Sequence, residues 1–184
     1  MHHLKNFQDK AASDPDYRVT VDDLQSWERA YGRIPDGAVV IMNSGWTTRY
    51  PNRTQTFNTD TPDDPKTFHF PGWHEDAATW LVNNRNINVI GVDTPSNDYG
   101  MSTSFPVHVI TSANNMTGLE NVANLDAIPE AGTVITVAVM KLEGGSGGPA
   151  RVFATMNSDT YTSTSSVSTL SRLLSFLLII VCYV

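Results

Sequence analysis

NINVIGVDTPSNDYGMSTSFPVHVITSANNMTGLE, residues 86–120, is the stretch whose reading decides the fold. Val89, Ile90 and Val92 make a short apolar strand. A Pro/Ser/Asn/Asp turn follows, then a helix carrying His108, then a return segment carrying Glu120. Pro106 suits the first turn of that helix, with Ser104 as the expected N-cap. Asp93 sits where the strand ends, the place at which α/β sheets carry functional groups. His108 and Glu120 lie twelve residues apart, too far for one helical face. A helix followed by a strand can still bring them together, and an imidazole–carboxylate pair suits a divalent cation. From these residues alone two readings stay open: a metal site, or a hydrogen-bonded histidine in the helix and a solvated glutamate at an edge.

Working upstream, Ala38–Met42 is an apolar run of strand length, and Glu75–Asn84 is a helix with Ala77, Trp80 and Leu81 on one face. With the strand at 89–92 they form a βαβ unit, which predicts parallel strands and a right-handed crossover. Asn43-Ser44-Gly45-Trp46 lies at the carboxyl end of the first strand. Trp46 is either a wall for an aromatic substrate or the side chain that closes the end of the core. Earlier still, Thr20 and Asp23 form a capping box. Leu24, Trp27 and Tyr31 repeat at helical spacing as core residues, Gly32 ends the helix, and 34–37 is a turn. Tyr50–Phe70, rich in Thr, Asn, Asp and Pro, reads as one long loop. His69 and His74, which flank Phe70-Pro71-Gly72-Trp73, read as surface groups or as residues supporting a site from outside.

Downstream, 124–129 reads as a turn or helical piece. Thr133–Met140 is the most apolar strand of the body and is expected at its centre. EGGSGGP, 143–149, is a glycine-rich turn before a last strand at 151–154, where Arg151 would make an edge-strand salt bridge. The composition shifts at 157. Residues 157–169 are a Ser/Thr-rich linker, and 170–184 are a hydrophobic tail of about 22 Å if helical, short of a ~30 Å hydrocarbon core. Together they match a GPI-anchor signal, although an incidental C-terminus gives the same pattern. The sequons at Asn52 and Asn115 would fit a secreted route. The tail is expected to pack little against the body.

The length of 184 residues suits about one domain, and 40% hydrophobic residues can fill a core. A net charge of −7 argues against nucleic acid or an anionic membrane as the main partner. Cys182 is the one cysteine, so no internal disulfide forms, and residues 1–10 carry no apolar signal-peptide core.

GVDTPSNDYG, FPVH, LENVANLDAIP and VAVMKLEGGSGGPARVFA, in that order, resemble the Putative cyclase family, which includes metal-dependent kynurenine formamidases (arylformamidases) and isatin hydrolases. The likeness extends upstream through GRIPDGAVVIMNSGW to ASDPDYRVTVDDLQSWE and covers roughly residues 9–156. It implies a mixed α/β chain, the cyclase-like swivelling β/β/α fold with its N-terminal portion missing, and a partial domain over 1–156. It also implies that His108 and Glu120 ligate zinc or manganese. Asp93 and Ser96 would then orient the ligands or the water, with Trp46 near the substrate.

The family's H-x-G-T-H-x-D-x-P-x-H-F cluster does not occur in this sequence. The resemblance therefore places the catalytic histidine and most ligands outside this chain, which alone would hydrolyse its substrate poorly. The implied reaction is amide hydrolysis, with N-formylkynurenine of tryptophan catabolism, or isatin, as the aryl amide. The implied state is a homo-oligomer, either cytoplasmic or, if the tail is a genuine anchor signal, extracellular. The alternative from another class is a non-catalytic, GPI-anchored binding protein that kept the fold.

Overall fold

The computed structural model describes residues 2–4, 7–156 and 178–181. In chain order the elements are β1 (His2–Leu4), α1 (Phe7–Ser13), β2 (Arg18–Val19), α2 (Val21–Tyr31), β3 (Val39–Met42), α3 (Arg53–Phe57), β4 (Gly72–Trp73), α4 (Glu75–Arg85), β5 (Val89–Val92), α5 (Pro106–Ala113), β6 (Thr117–Leu119), β7 (Val134–Val139), β8 (Ala150–Thr155) and β9 (Leu178–Val181). β1, β3, β5 and β6 form a parallel sheet in that order. The expected βαβ unit is present: β3 and β5 are neighbours, in register from Val39 opposite Val89 to Met42 opposite Val92.

Strands covered on both faces read as continuous apolar runs rather than as alternation, and β3 shows why. Val40 and Met42 point into a cluster with Leu24, Trp27, Trp73, Ala77 and Leu81, the side covered by α2 and α4. Ile41 points the other way, into a second cluster with Leu119, Val122, Leu125, Ile128, Val152 and Ala154. That second face is covered by an antiparallel sheet of order β7–β8–β9. The layers are thus helices, parallel sheet and antiparallel sheet, the β/β/α arrangement implied by the resemblance.

Local signals of the first helix hold. Thr20 and Asp23 make the capping box on α2, and Gly32 ends the helix at φ 89°. Leu24 and Trp27 are buried, but Tyr31 is not a core residue: it lies largely exposed, stacked on Trp27 with ring centroids 5.0 Å apart.

Three expectations about the rest need correction. Tyr50–Phe70 is not a plain loop. It contains α3 and a 3-10 turn at Pro65–Thr67, and Phe57 stacks on Phe68 at 4.1 Å with Phe70 beside both. The strand at 133–140 is not central. β7 is the outer strand of its sheet, with Val134 66% and Val139 58% exposed. Its apolar sequence reflects one covered face, where Ile135 and Val137 meet the second cluster. β8 is not a final edge strand either, because Leu178–Val181 pairs with it as β9. That part of the tail therefore does join the body. The candidate linker and the rest of the candidate anchor signal lie outside the described residues. Among the described residues no helix is long and apolar enough to cross a membrane.

One seam fixes the turn after β5. A Cβ on Gly72 would lie 2.5 Å from the Tyr99 nitrogen, and one on Gly100 would lie 2.6 Å from the Phe68 carbonyl oxygen. Segments 68–73 and 97–100 therefore meet main chain to main chain, tied by Trp73 N–H to the Asn97 carbonyl at 2.8 Å and Gly100 N–H to the Phe70 carbonyl at 2.9 Å. Gly100→Ala is expected to destabilise the chain by about 1–3 kcal/mol, the usual range for forced overpacking. Urea unfolding checks this; an unchanged midpoint would show that the seam yields freely.

Candidate functional site

The functional candidates gather at the carboxyl ends of the parallel strands, where open α/β sheets bind ligands. Asn43–Trp46 follows β3, Asp93–Asp98 follows β5, and Glu120–Asn121 follows β6. A cleft there is lined by Trp46, Thr47, Tyr50, Thr56, Asp93, Asn121 and Ala123.

His108 stands on the first turn of α5, and its ring bridges two carboxylates. Nδ1 lies 2.6 Å from Asp98 Oδ2, and Nε2 lies 3.1 Å from Glu120 Oε1. The sequence reading that a helix and a strand would unite His108 with Glu120 is matched by this geometry. The three side chains differ in their access to water: Asp98 is 2% exposed, Glu120 33% and His108 45%. Nδ1 therefore faces the interior and Nε2 faces the opening.

Asn97 holds Glu120 from behind: its backbone N–H donates to Oε1 at 3.0 Å and its side-chain amide reaches the same oxygen at 3.4 Å. The expected Ser104 cap on α5 is absent. The N-cap position is Phe105, at φ 49° with no side-chain cap bond. Asp98 replaces it, accepting from Val107 N–H at 2.9 Å and His108 N–H at 3.1 Å.

Sequence reasoning missed Asp98 and Asn97. A cap supplied from ten residues upstream of His108, across a loop, leaves no local pattern at the helix start.

Asp93 and Ser96 bond to groups other than His108 and Glu120. Asp93 is wholly buried and accepts from Ser44 N–H at 3.0 Å, Ser44 Oγ–H at 2.6 Å and Trp46 N–H at 2.8 Å. It fastens the loop after β3 to the end of β5. Burial pushes its carboxyl above the usual range despite those three donors. Ser96 Oγ accepts from Asp98 N–H at 3.2 Å, so it reaches His108 only through Asp98. Trp46 is buried, its Nε1–H donates to the Thr56 carbonyl at 2.8 Å, and it lines the cleft. Arg49 lies over its ring at 3.6 Å. His69 and His74 serve the scaffold. His69 pairs with Asp16 at 2.7 Å, and His74 caps α4 by accepting from Asp76 N–H at 3.1 Å.

The hydrogen bonds to Asp98, and then to Glu120, push the His108 pKa up from 6.5 to about 10. A raised folded-state value means that the charged ring stabilises the fold fully below about pH 6.5, and that this contribution is lost as the pH climbs through about 10. The gap in melting temperature between the chain and His108→Gln should therefore be widest near pH 6 and close by about pH 10. A gap that widens with pH would contradict the ion-pair geometry.

The donor pair suits a divalent cation. Tetrahedral zinc with bonds of ~2.0–2.1 Å sets its ligand atoms ~3.3 Å apart, and Nε2 and Oε1 stand 3.1 Å apart. A buried carboxylate behind Nδ1 is the usual support of a ligating histidine. Among the described residues, no group of three or more His, Cys, Asp or Glu side chains is placed to hold a metal ion, so the described residues offer the His108–Glu120 pair.

A β/β/α chain with a histidine–carboxylate pair at the strand ends is the class that fold and site define. Residues 3–99 match the family described as Putative cyclase, and the chain belongs to that family. The isatin hydrolase of Roseibium aggregatum is 32% identical over 149 residues, covering 79% of this chain and 55% of that protein. Isatin hydrolase A from Ralstonia solanacearum superposes with a TM-score of 0.74 at 36% identity, over 80% of this chain and 56% of that one. An isatin hydrolase bound to the product analogue thioisatinate gives 0.75 at 30% identity, over 83% and 57%. The chain thus spans about half the length of the relatives it matches.

Proposed function

We propose that this chain supplies part of the active site of a metal-dependent amide hydrolase acting on a small aromatic amide. Isatin is the first candidate substrate and N-formylkynurenine the second. The observation that carries this reading is the His108–Glu120 pair, open to solvent on one side and backed by buried Asp98 on the other. The likeness to isatin hydrolases, at 30–36% identity, supports the ordering of substrates.

His108 Nε2 and Glu120 would hold zinc or manganese, which when bound activates a water and polarises the amide carbonyl. Asn97 keeps Glu120 turned toward His108. Trp46 and Tyr50 line the cleft and would meet the aryl ring there, and Asp93 holds the Trp46 segment in place through Ser44 and Trp46. The remaining ligands and the proton-transferring histidine would come from residues this chain does not contain. Self-association is part of the proposal, since exposed Val134 and Val139 on β7 offer apolar surface.

The test is turnover of isatin and of N-formylkynurenine by the purified chain with added Zn²⁺ or Mn²⁺, alone and with a segment carrying H-x-G-T-H-x-D-x-P-x-H-F joined to it. Metal-dependent hydrolysis by the extended form, faster with isatin, is the expected result. No hydrolysis by any form would sink the proposal.

A further inference from the structure

We propose that Asp98 is a positioning residue that decides which ring nitrogen of His108 faces Glu120 and the metal; this rests on the metal-site reading above. One carboxylate makes three contacts with α5. Oδ1 accepts from Val107 N–H at 2.9 Å, and Oδ2 meets both His108 N–H at 3.1 Å and His108 Nδ1 at 2.6 Å. The group that caps the helix thus also grips the ring on that helix, so the backbone start and the side-chain rotamer of His108 are set together.

Asp98 is itself immobilised. It is buried, its N–H donates to Ser96 Oγ at 3.2 Å, and its carbonyl carbon lies against the Gly72 seam. Phe105, left-handed and without a capping bond, delivers the chain into α5 and leaves the helix dependent on Asp98.

A buried carboxylate accepts and cannot donate. Nδ1 must therefore keep its proton, and Nε2, which bonds Glu120 at 3.1 Å while no metal is bound, is the nitrogen that would give its lone pair to a metal. An asparagine would be as good a helix cap, but its amide NH₂ beside Nδ1 favours the other tautomer, with the proton on Nε2. Asp98→Asn therefore separates the two jobs of this residue: the cap survives and the ring loses its orientation.

The experiment uses the full chain with ¹⁵N-labelled histidine, observed by NMR during titration with Zn²⁺. In the wild type the Nδ1 proton should appear far downfield and exchange slowly, and Zn²⁺ should shift Nε2. In Asp98→Asn the amide of Val107, held by the remaining carbonyl oxygen, should stay protected while the downfield proton disappears. Zn²⁺ should bind about 10–100-fold more weakly, the usual effect of losing an outer partner of a ligating histidine. Retention of the Nδ1 proton with unchanged Zn²⁺ affinity in Asp98→Asn would overturn the proposal. So would a wild-type chain in which Zn²⁺ shifts Nδ1 instead of Nε2, a measurement that stands even if the variant fails to fold. Absence of any Zn²⁺ shift in the wild type defeats the metal-site reading instead, and the presence or loss of the ring proton then judges Asp98 by itself.

Discussion

Isatin hydrolysis by the 184-residue chain alone should be at least about 10²–10⁴-fold slower than by the form extended with the H-x-G-T-H-x-D-x-P-x-H-F segment, since loss of a general acid–base by itself costs that much. Two terms act together. The described residues offer two protein donors at the His108–Glu120 pair, fewer than the three protein ligands usual at catalytic zinc. In the absence of metal, His108 is held as a cation between two carboxylates, so it is a poor base at neutral pH. Metal occupancy and turnover should therefore rise together in the extended form. His108→Ala in that form should remove both, whereas Asn97→Ala, which only loosens Glu120, should lower occupancy and leave part of the turnover. Steady-state kinetics with metal analysis reads all three. Brisk metal-dependent turnover by the chain alone would show that another of its side chains has taken the missing role.

The second large effect concerns stability. Asp93→Ala should cost about 2–4 kcal/mol, because it leaves three buried donors, Ser44 N–H, Ser44 Oγ–H and Trp46 N–H, without an acceptor. Part of each donor's loss is offset by no longer burying a carboxylate, which keeps the figure below a simple sum. Asp93→Asn should cost less, since its carbonyl oxygen still serves Ser44 while its NH₂ faces the Trp46 N–H. Urea denaturation of the two variants gives the order. In Asp93→Ala the indole emission of Trp46 should also report a wetter surrounding. Equal stability of Asp93→Ala and wild type would show that the loop after β3 is held by other contacts.

How much of this was legible in the sequence depends on the range of each interaction. The β3–α4–β5 unit was readable because residues 38–42 and 89–92 are apolar on both faces and the intervening helix has a clear buried stripe. The capping box of Thr20 and Asp23 is a three-residue signal and was readable for the same reason. His108 and Glu120 were readable as candidates, but only the family likeness singled them out from an ordinary helix histidine and an ordinary edge glutamate.

Long-range polar contacts were not readable. Asp98 caps a helix from across a loop, Asn97 supports a glutamate 23 residues away, and Asp93 accepts from Ser44, which precedes it by 49 residues. The folded character of Tyr50–Phe70 was hidden because the Phe57–Phe68 stack spans eleven residues of polar sequence. β7 misled for another reason. Hydropathy records that Ile135 and Val137 need cover, but says nothing of whether the strand has a neighbour on each side.

The glycine seam gives the His108–Glu120 pair and the cleft at Trp46 different freedom to change. On the side of His108 and Glu120, the turn that carries Asn97 and Asp98 lies flush against residues 68–73 with no side chain between them. No substitution there can adjust the gap by degrees, and an inserted residue would shift Asn97, Asp98 and the groups they hold as a block. The cleft surface made by the side chains of Trp46, Tyr50 and Thr56 is instead carried by short helical turns that exchange of residues can reshape. On the proposed function, substrate choice would be tuned through the side chains at 46–56 while the His108–Glu120 pair stays fixed.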